Sequence, residues 1–248
     1  MIDVNIQVPY TTRPSMVRNT GPLYNHDPHP FYLKSKQEEL DRFGAGLWGH
    51  TYEARINQLV PRAAEFLGLP KVDSIVDLAL NFEEDIAVMH NGILAAICFC
   101  FPSGWVPAER IGMTLTEIHG PVADNHHLVL ASDKLAKTMA DPVLGSFRRQ
   151  VWTITTNPRL SNHPEYRSDK EPGGIADLYF RLETQTTAPL GDGITSLFFV
   201  KVDVVPLSVM WNSQGQAIKN SINSMTDAIL DYKNLRRIRS LLNNVQLY

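Results

Sequence analysis

Cysteine is nearly absent: Cys98 and Cys100 are the two such residues in a chain of 248. Strand alternation would place both on one face with parallel side chains, a geometry that does not suit a disulfide between them. Two thiols cannot complete a Cys₄ or Cys₃His zinc site, nor can they hold an iron–sulfur cluster. They read as small buried residues in a reducing compartment. A basic excess is also lacking, with 23 Lys and Arg against 26 Asp and Glu and a net charge of −3. Nucleic acid and anionic membrane are therefore poor partners. The longest apolar run, residues 93–101, has nine members, far short of the ~20 that span a bilayer. The opening Met-Ile-Asp-Val-Asn lacks the charged and apolar regions of a signal peptide, so a cytoplasmic location is expected. No Gly-x-Gly-x-x-Gly, Walker loop, His-Glu-x-x-His or Gly-x-Ser-x-Gly is present, which removes the mechanical basis for nucleotide, zinc-protease and serine-hydrolase chemistry.

What is present divides into four stretches of one structural domain. Residues 1–33 hold five prolines among Thr, Asn and Arg and read as an extended arm over a neighbouring surface. A helical lead-in follows over 34–83, with an apolar stripe at Tyr52, Ile56, Leu59, Val60, Ala63 and Leu67 and a stop at Gly68 and Pro70. The core, 84–207, begins with a hairpin, 85–90 and 93–101, around Asn91-Gly92, a pair suited to a type I′ turn. Helical segments 106–119, with a break at Gly112, and 128–139 come next. Long strands at 147–156, 176–187 and 195–206 complete the core. Within 208–248 a closing helix is expected over 216–242, whose Lys233, Arg236, Arg237 and Arg239 suit a helix C-terminus and need no ligand. Two strands, inserted helices and three antiparallel strands make an α+β fold resembling PAS. Such folds hold a flat or small ligand between sheet and helices.

Among eight histidines, His119 ends an amphipathic segment and is fixed by Gly120-Pro121. A histidine so placed can offer one ring nitrogen to a metal while a backbone carbonyl holds the other. Around it run Cys100-Phe-Pro-Ser-Gly-Trp105, Glu109-Arg-Ile-Gly112 and Ile118-His-Gly-Pro-Val122. Leu182-Glu-Thr-Gln-Thr186, Leu197-Phe-Phe-Val-Lys201 and Tyr232-Lys-Asn-Leu235 follow in order. These motifs, spread over about residues 30–240, resemble the haem-dependent oxidative N-demethylase alpha-subunit family. The sequence departs from the family pattern at Thr184, at Thr153-Ile-Thr-Thr156 and at Gly120 and Ala123.

The resemblance implies a PAS-like fold, haem b, dioxygen and a small amine substrate demethylated to release formaldehyde. It implies His119 as axial ligand, with Cys100 as the alternative. A neutral imidazole leaves the opposite iron face open, whereas a thiolate pushes electron density towards O–O cleavage. Trp105 would flank the macrocycle or simply join the core, and Arg149, Arg181 and Lys201 would meet propionates. Glu183, Gln185 and Thr186 would position the amine. Electrons would come from an external reductase or ferredoxin, since no internal relay is available; a homo-oligomer is left open. Two readings from other classes stand beside this one: a PAS-type sensor of haem or another small ligand without turnover, and a cofactor-free interaction module.

Overall fold

Seven strands pair antiparallel in the order β1-β5-β6-β7-β3-β4-β2. The computed structural model describes residues 3–167 and 171–245. The strands are β1 (Val17–Arg18), β2 (Trp48–His50), β3 (Asp85–His90), β4 (Ile93–Cys98), β5 (Phe147–Thr155), β6 (Tyr179–Pro189) and β7 (Thr195–Pro206). The five central strands, numbered along the chain, lie in the spatial order 2-1-5-4-3 when read from β4 to β5, the arrangement of a PAS-like α+β core. Asn91 and Gly92 turn the β3–β4 hairpin with φ of 50° and 79°, values that Asn tolerates and Gly adopts without strain.

Helices precede, interrupt and follow this core. The lead-in contains α1 (Pro30–Phe43), α2 (Tyr52–Ile56), α3 (Leu59–Phe66) and α4 (Ile75–Ala79), with strand β2 between the first two. Between β4 and β5 stand a 3₁₀ turn at Pro107–Arg110, α5 (Leu115–His119) and α6 (His126–Ala140). Gly112 breaks the segment at φ 81°, and Thr114 starts α5 with a reciprocal capping box to Glu117. The single closing helix expected over 216–242 is instead α7 (Leu207–Asn223), α8 (Asp227–Tyr232) and α9 (Arg236–Asn244). Thr226 caps α8 by accepting from Ile229 N at 3.2 Å, and Asn234 turns the chain into α9 at φ 55°. A continuous apolar stripe thus conceals two corners.

Alternation divides the sheet into two differently covered faces. Even-numbered Phe180 and Leu182 of β6 pack with Leu207, Met210 and Ile218 of α7. Towards β3 and β7, Phe199 joins Tyr24 and Phe82. The opposite face, bearing Arg181, Glu183 and Gln185, looks towards α5 and α6 across a cavity.

One buried ion pair ties the lead-in to the core. Lys36 and Asp85 are both fully buried with their charged atoms 4.0 Å apart. Lys36 Nζ donates to Ala79 O at 2.8 Å and to Glu84 O, while Asp85 accepts from Cys100 N at 2.9 Å and Phe101 N at 2.8 Å. Breaking such a pair from one side leaves an uncompensated charge at a cost of about 3–5 kcal/mol. Asp85→Asn is therefore expected to lower the unfolding free energy by about that amount in urea denaturation. Lys36→Met combined with Asp85→Asn should cost less than the two single changes added together, because it leaves no unpaired ion.

Candidate functional site

The cavity between the sheet and α5/α6 has a volume of about 1,580 Å³, above the ~300–1,000 Å³ of ordinary small-molecule pockets. Its apolar walls include Met89, Leu94, Phe99, Phe198, Leu128 and Met139. Trp105 lies in the lining and meets Phe99 edge-on, with ring centroids 5.6 Å apart. His119 also lines the cavity. Its Nδ1 stands 2.8 Å from Leu115 O. A carbonyl only accepts, so Nδ1 carries the proton and Nε2 keeps its lone pair. Burial, chiefly, and the nearby Arg149 charge hold the His119 pKa below its ordinary 6.5, against the Leu115 bond that favours the charged ring.

A polar network forms the cavity floor. Arg149 Nε donates to Gln185 Oε1 at 2.7 Å, Gln185 Nε2 donates to Glu183 Oε2 at 3.1 Å, and Ser103 Oγ donates to Glu183 Oε1. Arg181 Nε donates to Ser103 Oγ at 3.1 Å and lies 3.8 Å from Glu183. Its other nitrogens donate to Leu160 O and to Phe101 O, the latter at 2.9 Å. Arg181 is thus buried and committed to backbone carbonyls, a positioning role for the Phe101–Ser103 bend in place of the propionate contact expected from sequence. Arg149, Glu183 and Gln185 come together as a set, Arg149 of β5 standing directly across from Gln185 of β6, with Glu183 two residues earlier on β6.

Three expected residues do not reach this site. Lys201 pairs in register with Thr184, which puts it on the other sheet face; there it pairs with Glu83 and lies 4.8 Å from the Tyr32 ring centre. Thr186 is buried on that same face, directly across from Phe199, so it cannot position a ligand alongside Glu183 and Gln185. Cys100 is fully buried outside the cavity lining. The neighbouring Cys98, burial and the Asp85 charge push its thiol pKa well above the ordinary value, which disfavours the thiolate that metal ligation requires.

Two residues that sequence reasoning did not assign belong to the lining, Lys233 and Tyr10. Lys233 Nζ donates to Trp152 O at 3.1 Å and stands 5.6 Å from the Tyr10 ring centre. Burial lowers its pKa to about 8 against the pull of Glu183. A cation after a helix reads as a macrodipole partner until the corner at Asn234 aims it inward; its place in the Tyr232-Lys233-Asn234-Leu235 motif was the available signal.

A cavity of ligand size between a PAS-like sheet and its inserted helices, with apolar walls, a tautomer-fixed histidine and a charged floor, defines an α+β domain of the PAS-like kind. Residues 28–242 match the family model described as "Haem-dependent oxidative N-demethylase, alpha subunit-like", and the chain belongs to that family. No helix among the described residues is long and apolar enough to cross a membrane.

The depressed His119 pKa has a defined consequence. Below about pH 6.5 the unfolded chain takes up a proton that folded His119 resists, so its contribution to stability falls as pH drops. An NMR titration of the His119 ring should give a midpoint below 6.5, and Arg149→Gln should raise it by removing the repelling charge.

Proposed function

We propose that this chain is the haem-binding subunit of an oxygen-dependent enzyme that demethylates a small amine, with haem b ligated by His119. The single observation that supports this most is the His119 ring, whose Nδ1 is committed to Leu115 O while Nε2 remains a neutral donor on the cavity wall. The donor set fits the cofactor: an imidazole of fixed tautomer, aromatic and aliphatic side chains for the macrocycle faces, and exposed arginines, among them Arg13, Arg148 and Arg167, at the rim for propionates. A haem held there would supply dioxygen activation and oxidation of the carbon next to nitrogen, the methyl group leaving as formaldehyde.

The protein's own contribution is binding and exclusion of water. Phe99, Trp105 and Phe198 offer aromatic area, while Glu183, held by Ser103 and Gln185, offers a carboxylate to an ammonium group. A carboxylate provides about four lone-pair sites, so the network leaves acceptor capacity for a ligand. Electrons would arrive from a separate reductase or ferredoxin, because two cysteines cannot supply an internal iron–sulfur relay.

Reconstitution of the full chain with haem b is expected to produce a Soret band, and His119→Ala should shift or abolish it, with added imidazole restoring it in part. The reduced haem protein, given dioxygen, an electron donor and a methylated amine, should release formaldehyde. A His119→Ala spectrum identical to wild type would overturn the ligand assignment, and a chain that takes up no haem would overturn the whole reading.

A further inference from the structure

The charge on the cavity wall exceeds what the proposed cofactor and a simple amine call for. Eight arginines and lysines line it against three carboxylates, Asp3, Glu171 and Glu183, in a protein whose net charge is −3. Glu171 is already paired with Arg237 and Glu183 with Arg181. The exposed Arg13, Arg148 and Arg167 in the lining would be available to a haem's propionates. Arg149 and Lys233 are different: both are partly sheltered, come from unrelated segments, and have pKa values that burial lowers, with the nearby Glu183 charge opposing that shift in each.

Each also keeps unused donors. Arg149 spends Nε on Gln185, leaving its Nη groups without a hydrogen-bond partner among the described residues. Lys233 spends one of its three N–H groups on Trp152 O. The Tyr10 ring supports the ammonium, and Thr153 Oγ1, on the same wall, is buried without a partner. Two cations with spare donors beside one carboxylate complement a molecule bearing both charges. A cationic amine alone would gain from Glu183 and be repelled by Arg149 and Lys233.

Resting on the haem reading above, we propose that the substrate is a zwitterion, an N-methylated amino acid whose carboxylate is held by Arg149 and Lys233 and whose ammonium faces Glu183. Bidentate guanidinium–carboxylate bonding supplies geometric specificity as well as charge. Carboxylate capture would also raise the Lys233 pKa from about 8, reversing part of the effect of burial.

The test is calorimetric titration of haem-reconstituted full chain with N,N-dimethylglycine and with dimethylamine, which lacks the carboxylate. The expected result is at least about tenfold tighter binding of dimethylglycine, or about 1.4 kcal/mol. Arg149→Gln and Lys233→Met should each reduce that preference while keeping the Soret band. Equal affinities, or a preference that survives both substitutions, would overturn the proposal. So would loss of the Soret band in Arg149→Gln, which would assign that guanidinium to a propionate. The same titrations on cofactor-free protein separate the two ideas. A carboxylate preference in a chain that takes up no haem sustains the subsite and removes the haem reading; haem uptake without preference does the reverse.

Discussion

The fully buried Asp85 carboxylate is the contact on which the site's construction depends. It stands at the first residue of β3 and accepts from Cys100 N and Phe101 N, just beyond the end of β4. This fixes where the chain leaves the hairpin and bends towards the cavity. Phe101 O then accepts from Arg181 Nη2, Arg181 Nε donates to Ser103 Oγ, and Ser103 Oγ donates to Glu183. A buried ion is costly unless its partners are in place. Lys36 supplies the compensating charge from α1 and is itself held by two backbone carbonyls. The lead-in helix, far from the cavity in sequence, is in this way coupled to the geometry of the cavity floor.

The sheet's second organising feature is the separation of like chemistry onto opposite faces. Lys201 with Glu83, and Asp203 with Tyr32, fasten the lead-in helix and the segment before β3 to one side. Arg149, Gln185 and Glu183 form the floor of the other. Lys201 and Asp203 are polar strand residues like Arg149, Gln185 and Glu183, yet the first two consolidate the fold while the others face an open volume. The difference follows from what covers each face: close packing and paired ions on the first, and on the second α5 and α6 standing off across the cavity. Aromatic walls, an available imidazole and charges held ready by neighbours then combine a non-polar enclosure with a few oriented polar groups.

Much of the architecture is legible in the residues themselves. Asn91-Gly92 announces the hairpin, Gly112 the break before α5, and the strand at 195–206 begins and ends as its pattern predicts. The site is less legible. Simple alternation already separates Thr186 from Glu183 and Gln185, a constraint that the matching Leu-Glu-Thr-Gln-Thr motif obscured. Lys201 is a different case, because the parity of β7 relative to β6 depends on register, and its pairing with Thr184 is visible only once the strands are laid together. Lys233 is a third: its direction depends on the Asn234 corner, which a continuous apolar stripe hides.

Sequence alone determined the order of the five core strands and the helices inserted among them, the α+β class and the placement of a histidine at the end of a short helix, because periodicity, turn chemistry and capping act over a few residues. The two short edge strands and the corners of the closing helices escaped it. Its ordered motifs also carried the family resemblance. Tertiary structure alone decided which charges share the cavity and which lie behind the sheet. Burial, strand register and helix corners bring Tyr10, Arg149, Glu183 and Lys233 together from distant segments, and no local rule measures such distances. The scarcity of cysteine acquires a similar refinement. Cys98 and Cys100 are buried apolar residues, as read, and Cys100 lies outside the cavity at the Asp85 contact that shapes it.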